Sequence, residues 1–143
     1  MLSSLYIKNY AIISELEISF TDGLNIITGE TGSGKTLLIK AIQILMGSRF
    51  SKEMIRTGED KIIIKGVFLD QSKKLAIKRI YNRNGNSKTF INNDVVNQKE
   101  LHKITSSLID IHGQHDHQNI LDSNNHLLYL DRLLLYLYHY LYH

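Results

Sequence analysis

Cysteine, proline and tryptophan are absent from all 143 residues. Without cysteine there is no disulfide, no thiolate-held zinc or iron–sulfur cluster and no thiol nucleophile, which fits a reducing compartment. Without proline no helix is broken by a missing amide. A strong charge of one sign is lacking too: 17 basic against 14 acidic residues leave +3, too little for the whole-chain field to point to a polyanion. The opening Met1-Leu2-Ser3-Ser4-Leu5 has neither a basic stretch nor a long apolar one, so no secretory signal is read and the cytoplasm is the expected location. With hydrophobic residues at 43% and charged ones at 22%, the chain has the make-up of one folded domain, not of a disordered or membrane-spanning one.

Two early strands are expected between Leu5 and Phe20, with a bend near Asn9 and Tyr10; alternation is clearest in Leu16-Glu17-Ile18-Ser19-Phe20. After the Asp22-Gly23 turn, Leu24-Asn25-Ile26-Ile27-Thr28 reads as a short buried strand that stops at Gly29. Residues 35–46 carry apolar side chains around most of a helix, and Gly47 is a suitable stop. Residues 61–68 (KIIIKGVF) and 75–81 read as strands; Asn84-Gly85-Asn86 turns the second back into residues 88–92, giving an antiparallel subsheet. Asn93-Asp94 reads as a turn, and Asn97 can cap a helix over residues 98–108. Asp122 or Ser123 can cap a last helix, which ends in LLLYLYHYLYH, an uncharged stretch too short to span a bilayer.

Between the predicted strand and the first predicted helix lies Gly29-Glu30-Thr31-Gly32-Ser33-Gly34-Lys35-Thr36, which satisfies G-x-x-x-x-G-K-[ST] in the context that motif needs. Its glycines let the backbone curl so that successive N–H groups point inward, and the helix adds its positive end to the same anion site. Phosphates are the natural guest, with Lys35 reaching the β- and γ-phosphates and the Thr36 hydroxyl coordinating Mg²⁺. The motif alone does not choose among ATPases, GTPases and small-molecule kinases.

Together, LSSLYIKNYAIISELEISFTDGLNIITGETGSGKTLLIKAIQILMGSR, Met54-Ile55-Arg56-Thr57-Gly58-Glu59, Phe90-Ile91-Asn92 and Asp110-Ile111-His112-Gly113-Gln114-His115-Asp116-His117-Gln118 resemble the N-terminal part of the RecN family. These are bacterial DNA-repair ATPases related to SMC proteins, and the resemblance runs over about residues 1 to 132. It implies an α/β fold: a P-loop NTPase, the N-terminal half of an ABC-type ATPase head, with a mixed sheet and an antiparallel subsheet. Residues 1–121 would be that half-head and 122–143 the start of a coiled-coil helix with an atypical Tyr/Leu-rich end. The implied cofactors are ATP and Mg²⁺, with Gln114 as the Q-loop glutamine that touches Mg²⁺ and the γ-phosphate side; Lys35 and Gln114 are the candidate catalytic residues.

In that family a C-terminal half-head supplies the signature motif, the Walker B carboxylates and the switch histidine. None of these is recognised here, so the chain by itself is expected to bind ATP and turn over little. The implied partners are DNA through the complete assembly, a C-terminal half-head, and a second head in a head-to-head homodimer, with no membrane and a nucleoid-associated location.

Rival readings remain. Asp110 faintly resembles a Walker B carboxylate, as in a self-contained kinase or GTPase, and His112, His115 and His117 are close enough to suggest a zinc site. Lys61, Lys65, Lys73, Lys74, Lys78, Arg79, Arg83 and Lys88 face only Asp70 in charge, which reads either as a DNA-binding surface or as a solvated sheet face. The resemblance to SMC-like heads implies that an arginine soon after the P-loop helix, here Arg56, can approach nucleotide or DNA, and the bland alternative is a surface arginine. A non-catalytic remnant is a further alternative, with a sheet that lacks its C-terminal strands.

Overall fold

The computed structural model describes residues 1–30, 34–70, 73–106, 108, 109 and 111. The first of the chain's two units, Met1–Asp110, contains all of these except Ile111. The last predicted helix lies outside the described residues.

Six strands form one sheet: β1 (Leu2–Tyr10), β2 (Ile13–Ser19), β3 (Lys61–Asp70), β4 (Lys73–Asn82), β5 (Ser87–Ile91) and β6 (Asp94–Val96), in the order β2-β1-β3-β4-β5-β6. Every pairing among them is antiparallel. Helix α1 (Lys35–Leu45) packs on one face, and α2 (Gln98–Thr105) follows β6.

Alternation dictates which side chains meet α1. Leu5 and Ile7 of β1, Ile62, Ile64 and Phe68 of β3, and Ile77 and Tyr81 of β4 are buried with Leu38, Ala41, Ile44 and Leu45 of α1 in one core. Gly66 of β3 lets the helix come this close, because a Cβ there would lie 2.6 Å from the Leu45 Cδ1.

The opposite face collects the charges. Register places Tyr6, Lys65, Lys78 and Phe90 in one row across β1, β3, β4 and β5, and Lys61, Lys74 and Lys88 share their strand parity. Lys61, Lys65, Lys74 and Lys88 are exposed, while the Lys78 ammonium sits 4.6 Å above the Phe90 ring. At the sheet edge Glu15 pairs with Lys8 at 3.6 Å.

Local signals set the turns and caps. Asn92 and Asn93 both take positive φ, 49° and 79°, and so close the tight β5–β6 hairpin; the short β6 starts at Asp94, which the sequence places in a turn with Asn93. Asn97 forms a full capping box: its side chain accepts from Lys99 and Glu100 N–H, and the Glu100 carboxylate accepts from the Asn97 N–H. Helix α2 ends at Thr105, three residues before the sequence-based limit.

Two expectations differ from the structure. Residues 24–28 belong to no strand: Leu24 is 85% exposed and Ile26 75%. A β-branched run supplies propensity, but a strand exists only through hydrogen bonds to a neighbour, and no described strand runs beside this one. Likewise α1 is covered on one side only, so that Ile39 is 49% exposed where a well-buried helix was expected.

Candidate nucleotide site

The site is built where α1 begins, after the exposed residues 24–28. Gly34 takes φ 100°, a left-handed conformation that L side chains avoid, and this turns the chain into the helix with Lys35 as its first residue. The Leu38 N–H closes the first turn onto the Gly34 carbonyl at 3.0 Å. The N-cap Gly34 has no side chain with which to cap this end and the first turn holds no acidic residue, so the positive end of the helix retains its attraction for an anion.

Lys35 folds back over the loop. Its ammonium donates to the Gly29 carbonyl and, at 2.8 Å, to the Glu30 carbonyl. Gly29, Glu30, Gly34, Lys35 and Thr36 are therefore gathered around one helix start, and Thr36 presents an exposed hydroxyl in the second helical position. A flexible cation, the positive end of a helix and a hydroxyl are what a polyphosphate and its Mg²⁺ need, so these residues fit that group. Thr31, Gly32 and Ser33 lie outside the described residues, as do Gln114, Asp110, His112, His115 and His117. Among the described residues no three His, Asp or Glu side chains gather as a metal site, and no helix is long and apolar enough to cross a membrane.

At its far end, α1 meets a set of side chains that the sequence reading did not separate from the surface charges. Arg79 points inward from β4 and is 4% exposed. Its Nη1 donates to the Ile44 carbonyl and, at 2.7 Å, to the Ser48 carbonyl; its Nε donates to Thr89 Oγ1 at 3.3 Å, and its guanidinium lies 4.9 Å from the Phe50 ring centre. Burial lowers its pKa to about 10, which leaves it charged at neutral pH. From α2, Gln98 Nε2 donates to the Gly47 carbonyl at 2.5 Å and Thr105 Oγ1 to the Met46 carbonyl at 3.0 Å. Parity was the available signal: Arg79 falls in step with the buried Ile77 and Tyr81.

The other basic residues divide. Arg83 is engaged through Nε and Nη2 with the Glu59 carbonyl, at 3.0 and 2.6 Å, and Arg56 donates to the Ile12 carbonyl at 2.6 Å, which ties it to the β1–β2 turn. Lys61, Lys65, Lys74, Lys78 and Lys88 remain as one face; the Lys73 side chain is outside the described residues.

An α/β arrangement with a P-loop entering α1 and an antiparallel sheet at its back is that of the N-terminal half of a P-loop ATPase head. The SMC head domain from Thermotoga maritima superposes with a TM-score of 0.66 at 26% identity, over 72% of this chain and 41% of that one. The recombination mediator protein RecF, solved with ATP, shares the fold with a TM-score of 0.60 at 23% identity, over 67% of this chain and 27% of that one. The family described as "AAA domain" matches residues 4–137, so the chain belongs to that family. Among individual proteins, it is 40% identical to the DNA repair protein RecN of Bacillus subtilis over 92% of its own length. It spans about a quarter of the length of the curated RecN relatives it matches, 26% for the Bacillus protein. The resemblance read from GETGSGKT and its companion segments is thereby borne out.

Proposed function

We propose that this chain is the ATP-binding part of a RecN-like protein that acts in recombinational repair of DNA double-strand breaks. The observation that carries the reading is the helix start itself: Gly34 in a left-handed turn, the positive end of α1, and the Lys35 ammonium laid over the Gly29 and Glu30 carbonyls. The residues from Gly29 through Thr36, including Thr31, Gly32 and Ser33, would hold the triphosphate, with Lys35 on the β- and γ-phosphates and Thr36 and Gln114 toward Mg²⁺. Bound Mg²⁺ would offset charge between the phosphate oxygens. Residues 1–121 would make up the half-head and 122–143 the beginning of the coiled coil.

Hydrolysis needs a carboxylate that positions Mg²⁺ and attacking water, and in this reading it comes from a C-terminal half-head together with a second head. Exposed Leu24, Ile26, Ile27 and Ile39 support that assignment, since an exposed apolar segment and an open helix flank are what a further strand and layer would cover. The lysine face of β3–β5 supports DNA as the partner of the complete assembly. Such a protein would be cytoplasmic and associated with the nucleoid.

Calorimetric titration with Mg-ATP and Mg-GTP, beside Lys35→Ala and with phosphate release assayed in the same samples, tests the reading. Saturable ATP binding that is lost in Lys35→Ala, with negligible turnover, is the expected result. No binding by the folded chain would leave a non-catalytic remnant, which would share the exposed residues 24–28; robust turnover would point to a self-contained P-loop enzyme.

A further inference from the structure

Helix α1 is gripped at the end opposite the P-loop. The carbonyls of Ile44, Met46, Gly47 and Ser48 each accept from a side chain that belongs to another element: Arg79 of β4 takes the first and last, Thr105 and Gln98 of α2 the middle two. Ile44 lies in the last turn of α1, where its carbonyl also accepts from the Gly47 N–H at 3.0 Å, and Met46, Gly47 and Ser48 follow directly, so the four mark the end of the helix where its partial negative charge lies. Arg79 adds a formal positive charge at that end. None of its partners is a carboxylate: they are backbone carbonyls, the Thr89 hydroxyl, the Phe50 ring and, at a long 3.5 Å, the Gln98 amide oxygen. A guanidinium 4% exposed and set against a helix end is costly to displace, because its buried donors have these acceptors in place of water.

We infer that Arg79, assisted by Gln98 and Thr105, is a positioning residue for nucleotide binding: it fixes the axial placement of α1 and so sets where the Lys35 ammonium and the first-turn amides stand. The inference rests on the ATP-binding role proposed above. An α-helix 11 residues long is a rod of about 16 Å that transmits displacement from one end to the other. A loose C-terminal end lets the whole rod slide against Gly66 and the β3 face, and the phosphate-binding end moves with it. The fork matters as well as the charge, since Nη1 holds the Ile44 and Ser48 carbonyls while Nε donates to Thr89 Oγ1, a spread of donors that a single ammonium nitrogen does not have.

The experiment uses the whole chain as Arg79→Met, Arg79→Lys, Thr105→Val and wild type, and reads amide hydrogen exchange without nucleotide and the Kd for Mg-ATP by calorimetry. Thr105→Val keeps volume and removes one grip, so it reports even where Arg79→Met does not fold. Expected are faster exchange across Lys35–Leu45 in every variant while the β1 and β3 amides keep their protection, and a Kd weakened about 3- to 30-fold in Arg79→Met. Arg79→Lys should recover part of both. Unchanged α1 exchange in Thr105→Val and Arg79→Met, or a uniform loss of protection through sheet and helix alike, would overturn the clamp. Loosened α1 with an unaltered Kd would overturn its positioning role. Failure of wild type to bind Mg-ATP would instead refute the function proposed above, and the exchange pattern would still decide whether the clamp holds α1.

Discussion

Replacing Gly66 by alanine adds one methyl group where the helix and the sheet are in contact. The new Cβ would stand 2.6 Å from Leu45 Cδ1, 3.3 Å from Phe68 Cε2 and 3.4 Å from Leu2 Cδ1. Leu45 is 0% and Phe68 1% exposed, so neither can swing into solvent to make room. Overpacking of this kind costs about 1–3 kcal/mol, whereas the stiffer unfolded chain of a Gly→Ala change returns about 0.4–1 kcal/mol at a position with an ordinary strand backbone. The difference is a net destabilisation of about 1–2 kcal/mol. Urea unfolding followed by circular dichroism should place the midpoint about 0.5–1.5 M lower, given a typical slope of about 1–3 kcal/mol per M. A double-mutant cycle sharpens the test: Leu45→Ala alone leaves a cavity and costs about 2–5 kcal/mol, but the alanine at 66 then fills part of that cavity. The double variant should be more stable than the sum of the two single effects predicts. Strict additivity, or a neutral Gly66→Ala, would refute the close approach of α1 to β3.

Other outcomes follow from single contacts. Asn97→Ala removes the acceptor for the Lys99 and Glu100 amides and should cost about 1 kcal/mol, read as a lower urea midpoint; Asn97→Asp should retain most of the stability. The Tyr6 hydroxyl hydrogen bond, and then the Lys8 ammonium, hold the Glu15 carboxyl below its ordinary value, so the small stability they contribute is present above that value and fades as pH falls through the lowered one; Tyr6→Phe should move the Glu15 titration back up in a carboxylate NMR experiment. Leu24→Ser with Ile26→Thr should leave the unfolding midpoint of this chain within about 0.5 kcal/mol of wild type while light scattering at high concentration falls, because both side chains are exposed. Lys65→Glu with Lys78→Glu should weaken DNA binding and flatten its salt dependence, and an unchanged slope would remove this face from the interface.

What could be read from the sequence was what a few neighbouring residues decide. The Asn97 cap with Glu100 three residues on, the Asn84-Gly85 reversal and the helix that starts at Lys35 all depend on local chemistry, and the structure places each where expected among the described residues. Residues 24–28 show the limit: their apolar pattern speaks for a strand, but pairing is a property of two segments. The three-residue β6 was too short to carry a pattern of its own and exists because Asn92 and Asn93 turn it onto β5. Arg79 was counted with the surface lysines because a charge tally ignores parity; its neighbours Lys78 and Ile80 face the other way, and the alternation that buries Ile77 and Tyr81 buries it as well.

The order of the strands has a consequence for how the protein is made. Each strand pairs with the one next to it along the chain, except that β1 reaches past α1 to β3. A meander of this kind is assembled mostly from short-range closures, which favours rapid folding. During synthesis the nascent chain can therefore complete its sheet once Val96 has left the ribosome, before α2 has emerged. A C-terminal half-head of the kind proposed above would then dock onto a scaffold already formed, and the timing of that docking would be set by translation and encounter, not by the folding of the sheet.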